Sequence, residues 1–238
     1  MEDLHPPKTP DPVAFHLPDE AQLRNPRHLH ALAAACVQAG VEVTGNLAAG
    51  NLVSGGGSIR EIESSAGPLR ARRYCFTAGA WTGQLLSRLD VPIAVLPLRG
   101  QMVMFRCPQP PIRHILNEGS RYIVPRDDGR VLAGSTEEEV GFDKRTTDEA
   151  IADLTAFARA LVHALADAPI EQSWAGLRPA SFDGLPYLGP LPDLSNVFVA
   201  AGHFRSGLLL SPATAVVMSQ LLRDEQPQID LAPFRVGR

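Results

Sequence analysis

Two segments in which an apolar strand breaks at small residues and resumes as a helix constrain this chain most. Residues 73–89 pass from Arg73-Tyr74-Cys75-Phe76 through Thr77-Ala78-Gly79-Ala80-Trp81 into a helical stretch at 82–89. Residues 197–222 pass from Val197-Phe198-Val199-Ala200-Ala201 through a glycine-flanked loop into a long helix from Gly207. Strand, glycine turn and helix in that order make an α/β unit. Between them the pattern changes to runs of strand length at 95–106, 113–116, 121–124 and 131–135, the last entered through the turn Asp127-Asp128-Gly129, as in an antiparallel sheet. The expected class is α/β (α+β), with a mixed, largely antiparallel sheet and covering helices.

The rest of the chain fits around that frame. Asn25 reads as an N-cap with Pro26 at the first helical position, and Leu29, Leu32, Ala33, Cys36 and Val37 form an apolar stripe ending at Gly40. A β-rich stretch starts at Val41 to Val43, and Ser54-Gly55-Gly56-Gly57-Ser58 separates Leu52-Val53 from residues 59–62 as a hairpin turn. A phosphate-cradling loop needs G-x-G-x-x-G between strand and helix, whereas Arg60 follows here and the next residues are strand-like. Thr146-x-x-Glu149 reads as a capping box before Ile151, Leu154, Phe157, Leu161 and Leu165, whose spacing lays one apolar face on the sheet. Glu137-Glu138-Glu139 reads as a solvated loop, and 170–180 as a last long β segment ending at the turn Asp183-Gly184.

Composition narrows the function classes. At roughly 150 residues per domain, a length of 238 allows one large domain or about one and a half. The net charge of −4, with basic residues scattered, argues against nucleic acid. The longest apolar stretch, 207–222, is interrupted by Ser211, Pro212, Thr214, Ser219 and Gln220, so no membrane span is expected. The proline-rich start, 1–12, has no basic stretch followed by an apolar core, and a cytoplasmic location is the expectation. Cys36, Cys75 and Cys107 lack ligand or disulfide spacing, read as reduced core thiols, and no metal site is expected.

Two constellations carry chemistry. Between Gln172 and Pro190 the only charged side chains are Arg178 and Asp183, with Arg178 among Trp174, Ala175, Leu177 and Pro179. A guanidinium in apolar surroundings needs an anion: either Asp183 in an internal ion pair, or a substrate carboxylate held in a forked clamp. The second is the loop Gly202-His203-Phe204-Arg205-Ser206-Gly207, which opens onto a helix N-terminus. Unpaired N–H groups there suit an anion or a cofactor that gains negative charge on reduction, although such turns also occur as structure alone, and His203 also reads as a satisfied core histidine.

Residues 174–189 (WAGLRPASFDGLPYLG) and 201–215 (AGHFRSGLLLSPATA) closely resemble the C-terminal part of FAD-dependent glycine oxidases of thiamine biosynthesis, within the D-amino-acid oxidase family. The resemblance runs from about residue 15 to 222 and includes NPRHL at 25–29, TAGAW at 77–81, PLRGQ at 97–101 and RYIVPR at 121–126. It implies that Arg178 holds the substrate carboxylate and Tyr122 supports it. It also implies that His203, Phe204, Arg205, Ser206, Gly207, Leu208 and Leu209 lie against the flavin, with a second flavin-contacting turn at Ala78, Gly79 and Trp81. Ser206 stands where asparagine is usual and Leu208 where isoleucine is common, and both leave a main-chain contact intact. No equivalent of the family's adenine-contacting strand is found near Leu47-Ala48-Ala49.

The implied activity is oxidation of the amine of glycine or a small amino acid to an imine, with oxygen as acceptor and no protein acid or base if the amine arrives neutral. FAD is expected to be non-covalent, since 177–202 contains no cysteine. The implied organisation is a partial FAD/NAD(P)-binding Rossmann-like domain, 1–92 with 190–238, and a substrate-binding domain, 93–189. Partners are a small amino-acid substrate, no nucleic acid and no membrane, with a homo-oligomer left open. Relatives begin with a strand, a G-x-G-x-x-G turn and a helix that hold the FAD pyrophosphate, and this sequence shows no such segment. The chain by itself is therefore expected to bind FAD poorly and to expose a sheet edge or groove. Two other classes stand beside this reading: a non-catalytic, partner-binding remnant, and an FAD-dependent dehydrogenase with another electron acceptor.

Overall fold

The computed structural model describes residues 13–91 and 93–238; the proline-rich start lies outside them. In chain order the elements are α1 (Asn25–Gln38), β1 (Ala49–Ser54), β2 (Ile59–Ser64), β3 (Tyr74–Phe76), α2 (Thr82–Leu86), β4 (Val95–Arg106), β5 (Leu116–Glu118), β6 (Arg121–Pro125), β7 (Arg130–Gly134), α3 (Asp148–Leu161), β8 (Ile170–Ser181), β9 (Tyr187–Pro190), β10 (Val197–Ala201) and α4 (Gly207–Leu222). The mixed α/β class expected from the pattern is the class observed. Among the described residues no helix is long and apolar enough to cross a membrane.

The chain divides into two compact units. The first takes the described residues up to Thr44 with Gly100–Glu138 and Asp143–Gly176; the second takes Gly45–Arg99, Glu139–Phe142 and Leu177–Arg238. Residues up to Thr44 thus group with the antiparallel strands, and 177–189 group with the strand–turn–helix segments.

In the first unit, the strands follow the order β5-β6-β7-β4-β8, and the β5–β6, β6–β7 and β7–β4 pairs are antiparallel. Helix α3 covers this sheet: Leu154, Phe157 and Ala158 join Val103, Phe105, Ile123, Val131 and Ala133 in one buried cluster, as its three- and four-residue spacing demands. Its N-cap is Thr147, whose hydroxyl accepts from Ala150 N–H, one residue later than the expected capping box. The reason lies in β4. Buried Gln101 accepts the Thr147 N–H at 2.8 Å and donates to Glu138 and Thr147 Oγ1. Glu138 is therefore drawn into a polar network, while Glu137 and Glu139 are exposed as expected.

Four other expectations are corrected here. Helix α1 starts after Arg24 rather than at an Asn25 cap, and it buries none of its residues: Leu29, Leu32 and Val37 are all exposed. Polar contacts fasten its entrance, with Arg24 paired to Asp128 at 2.7 Å and Gln22 donating to the Pro125 carbonyl. Residues 41–43 form no strand, and the strand expected at 113–116 begins only at Leu116. Of the three cysteines only Cys107 is buried; Cys36 and Cys75 are exposed.

In the second unit, β1 and β2 form the expected antiparallel hairpin, turning through Gly56 and Gly57 at positive φ. The other sheet runs β3-β10-β9, with β10 parallel to β3 and antiparallel to β9. Asn196 locks hairpin and sheet together, its amide accepting the Ile59 N–H at 2.9 Å and donating to the Ile59 carbonyl at 2.8 Å. Strand β3 stands at one end of the order β3-β10-β9.

Two measurements test this packing. Leu154→Ala, at 1% exposure, should cost about 2–5 kcal/mol in denaturant unfolding. A thiol reagent should label Cys36 and Cys75 in the native protein and Cys107 only after unfolding.

Candidate functional site

Strand β10 is buried along its whole length. Where it ends, Gly202 takes φ +77, and a Cβ placed there would lie 3.1 Å from the Tyr187 ring and 3.3 Å from Ser181 Cβ. Both backbone and space therefore require glycine. His203 and Phe204 follow, Phe204 itself at φ +48, then a 3-10 turn over Phe204–Ser206, and α4 begins at Gly207. Ser206 supplies no side-chain cap to α4, and its own N–H donates to the His203 carbonyl at 3.0 Å; the positive end of the helix dipole lies at this turn. Arg205, Ser206, Leu208 and Leu209 are exposed around it.

The His203 ring is committed to the fold. Its Nε2 lies 3.0 Å from Thr214 Oγ1, fastening the loop to α4. Burial holds its pKa below the ordinary 6.5, so the imidazole is neutral at pH 7. Of the two readings of His203, the satisfied histidine describes the ring, and the loop's main chain remains to meet a ligand.

The second turn leaves β3 beside the first. Phe76 pairs with Val199 in parallel register, so Ala78 and Gly79 follow the same strand end that Gly202 follows. Gly79 is at φ +55, Ala80 is buried, and Thr82 Oγ1 donates to the Gly79 carbonyl at 2.8 Å. Trp81 is exposed, tilted against Phe142 with ring centroids 5.9 Å apart. Two turns at the carboxyl ends of neighbouring parallel strands, one leading into an uncapped helix, form the kind of crevice in which open α/β sheets bind ligands.

Arg178 is on β8 and half-buried. Two residues later Ala180 makes an antiparallel bridge to His203, so the strand that carries Arg178 is stitched to the loop. Alternation along a strand puts residues 178 and 180 on one face. Asp183, the internal partner the sequence offered for Arg178, receives Arg238 on both its oxygens at 2.8 and 2.9 Å. That ion pair holds the Asp183 carboxyl well below the usual carboxylate range. Sequence reasoning missed Arg238, since nothing near it in the chain marks a partner.

Tyr122 belongs to the first unit, on β6 opposite Gly134 of β7. Its hydroxyl donates to Met102 Sδ at 3.4 Å. A Cβ at Gly134 would sit 2.1 Å from that sulfur and 3.3 Å from Tyr122 Cζ, so glycine on β7 leaves the space in which Tyr122 of β6 and Met102 of β4 meet.

The chemistry around these turns suits a flat, partly apolar group: a helix start without a side-chain cap, with Leu208, Leu209 and Trp81 exposed beside it.

Comparison with known proteins agrees with this arrangement. The pattern of the family described as "DAO: FAD dependent oxidoreductase" matches residues 1–221. Glycine oxidase of Pseudomonas aeruginosa is 37% identical over 222 residues, which is 93% of this chain and 61% of that protein. The crystal structure of glycine oxidase from Geobacillus kaustophilus superposes with a TM-score of 0.83 at 34% identity, over 88% of this chain and 56% of that one. Iminodiacetate oxidase from Chelativorans sp. BNC1 gives a TM-score of 0.81 at 27% identity, covering 88% of this chain and 58% of its own. The chain thus spans about three fifths of the length of the glycine oxidases it matches. With the family pattern running through both flavin-type turns and the Arg178 strand, the chain belongs to the DAO family of FAD-dependent oxidoreductases.

Proposed function

We propose that this chain supplies the substrate-holding and isoalloxazine-facing part of an FAD-dependent amino-acid oxidase that converts the amine of glycine, or of another small amino acid, to an imine with oxygen as acceptor. The observation that carries this is the Ala180–His203 bridge, which joins the Arg178 strand to the loop that opens onto α4. In this reading residues 93–189 serve substrate binding and 1–92 with 190–238 serve FAD binding. The flavin is held non-covalently, and the enzyme works in the cytoplasm.

Each group has a physical task. Arg178 forks onto the substrate carboxylate and orients the amino acid, replacing the search for a reactive geometry by a fixed one. Tyr122, kept in place by Met102 and Gly134, supports that carboxylate. When bound, FAD supplies the two-electron oxidation of the Cα–N bond. The first-turn N–H groups of α4 and the main chain of 203–209 favour the negative charge that reduction places beside them. If the amine arrives neutral, no side chain of this chain is required as acid or base.

The test is spectroscopic and kinetic. The purified chain together with a separately expressed N-terminal fragment of a relative, given FAD, should show bound flavin absorbance and should produce peroxide from glycine, whereas the chain alone should bind FAD poorly. Flavin reduced by glycine in air without peroxide would assign a dehydrogenase; no flavin bound even at excess FAD with that fragment present would assign a non-catalytic, partner-binding role. Arg178→Ala should raise the KM for glycine on the order of 100-fold, the scale of a lost charge-assisted pair, and Arg178→Lys should recover only part of it.

His203 adds a pH dependence with a definite sign. Its folded-state pKa is depressed, so below about 6.5 the unfolded chain takes up a proton that the folded chain excludes, and stability falls as pH drops. Melting temperature should decline between pH 7 and 5, and His203→Gln should flatten that part of the profile.

A further inference from the structure

Residues 222–238 follow the part matched by the family pattern. They fold back on the second unit, where Phe234 and Val236 reach its apolar clusters. Arg238 then enters the β8–β9 turn with its side chain only 10% exposed. Its guanidinium engages both Asp183 oxygens, donates to the Leu185 carbonyl at 2.7 Å and to the Arg235 carbonyl at 3.1 Å, and lies 4.1 Å over the Tyr187 ring centroid. Asp183 also accepts the Leu185 N–H at 3.1 Å.

These contacts lead to the flavin-type loop. Tyr187, clamped by Arg238 on its face and by the Ala94 carbonyl at its hydroxyl, presses the other way on Gly202. Ser181, the last residue of β8, lies beside Gly202, where a Cβ would come within 3.3 Å of its own, and Ala180 bridges His203. The segment from β8 to β9 latched by Arg238 therefore lies against the loop at Gly202 and His203. Arg is suited to this site where Lys is not: one planar fork meets a carboxylate, a carbonyl and an aromatic face at once.

We propose that Arg238 is a positioning residue for the loop 202–207: by latching Asp183 and stacking on Tyr187 it holds the main-chain N–H groups in the orientation that meets the ligand. The inference rests on the flavin-facing assignment of residues 203–209.

The test measures amide hydrogen exchange in the full chain for the parent, Arg238→Ala, Arg238→Lys and Asp183→Asn, with FAD titrations alongside in the presence of the same N-terminal fragment. In Arg238→Ala, exchange at 202–207 should rise about tenfold, while α3 in the first unit is unchanged. Arg238→Lys should fall between parent and alanine, and Asp183→Asn, which keeps the shape of the turn, should move the loop in the same direction by less. FAD should bind the alanine variant several-fold more weakly than the parent, with its visible bands less resolved, and the lysine variant should recover part of both. If protection is lost only at 182–185 and the loop is unmoved, the latch is local and the inference is overturned. An equal rise throughout the protein in both Arg238→Ala and Asp183→Asn overturns it too, by reducing the pair to general stability. Should the parent itself bind no FAD, the flavin assignment fails while the exchange measurement still decides the latch.

Discussion

Strand β10 is buried on both faces, and the second unit is organised around it. Val197, Val199 and Ala201 join the cluster that includes Leu52, Ile62 and Leu86 on one side, while Phe198 and Ala200 meet Leu188 and Met218 on the other. A strand apolar in every position belongs in the middle of a sheet, and its neighbours follow: β3 parallel on one edge, β9 antiparallel on the other. Because β3 and β10 run the same way, their turns open at the same end. Because β10 is fixed on both faces, the loop after it starts from a rigid base, which is what a site with main-chain contacts needs.

The first unit serves a different end with the same economy of parts. Helix α3 seals one face of the antiparallel strands, and buried Gln101 is fully satisfied by Thr147, Glu138 and Thr136. A buried amide left unpaired would be costly, so this network also sets where α3 begins. Tyr122 stands on that framework through Met102 and Gly134, and its place is a property of three adjacent strands rather than of its own segment.

Much of the architecture was legible because it is periodic. The hairpin around Gly56, the long strands at 95–106 and 170–181, and the helix at 207–222 each carry their pattern in consecutive residues. The misses have physical causes. The stripe on α1 has helical spacing, yet spacing does not say whether anything packs on it, and Leu29, Leu32 and Val37 lie in solvent. The capping box at Thr146 matched a local rule that lost to a side chain 46 residues away. Cys36 and Cys75 followed a burial habit that their exposed positions do not share.

The amino-acid order by itself determined the class of fold, the two strand–turn–helix segments and the family, because each is written in short contiguous motifs. Tertiary structure alone decided which cation Asp183 would pair with: Arg238, 55 residues away. It also decided that the His203 ring would serve Thr214 and that Tyr187 would press on Gly202. Those choices join residues far apart in the chain, where the free energy of pairing depends on distance and burial that no local pattern encodes.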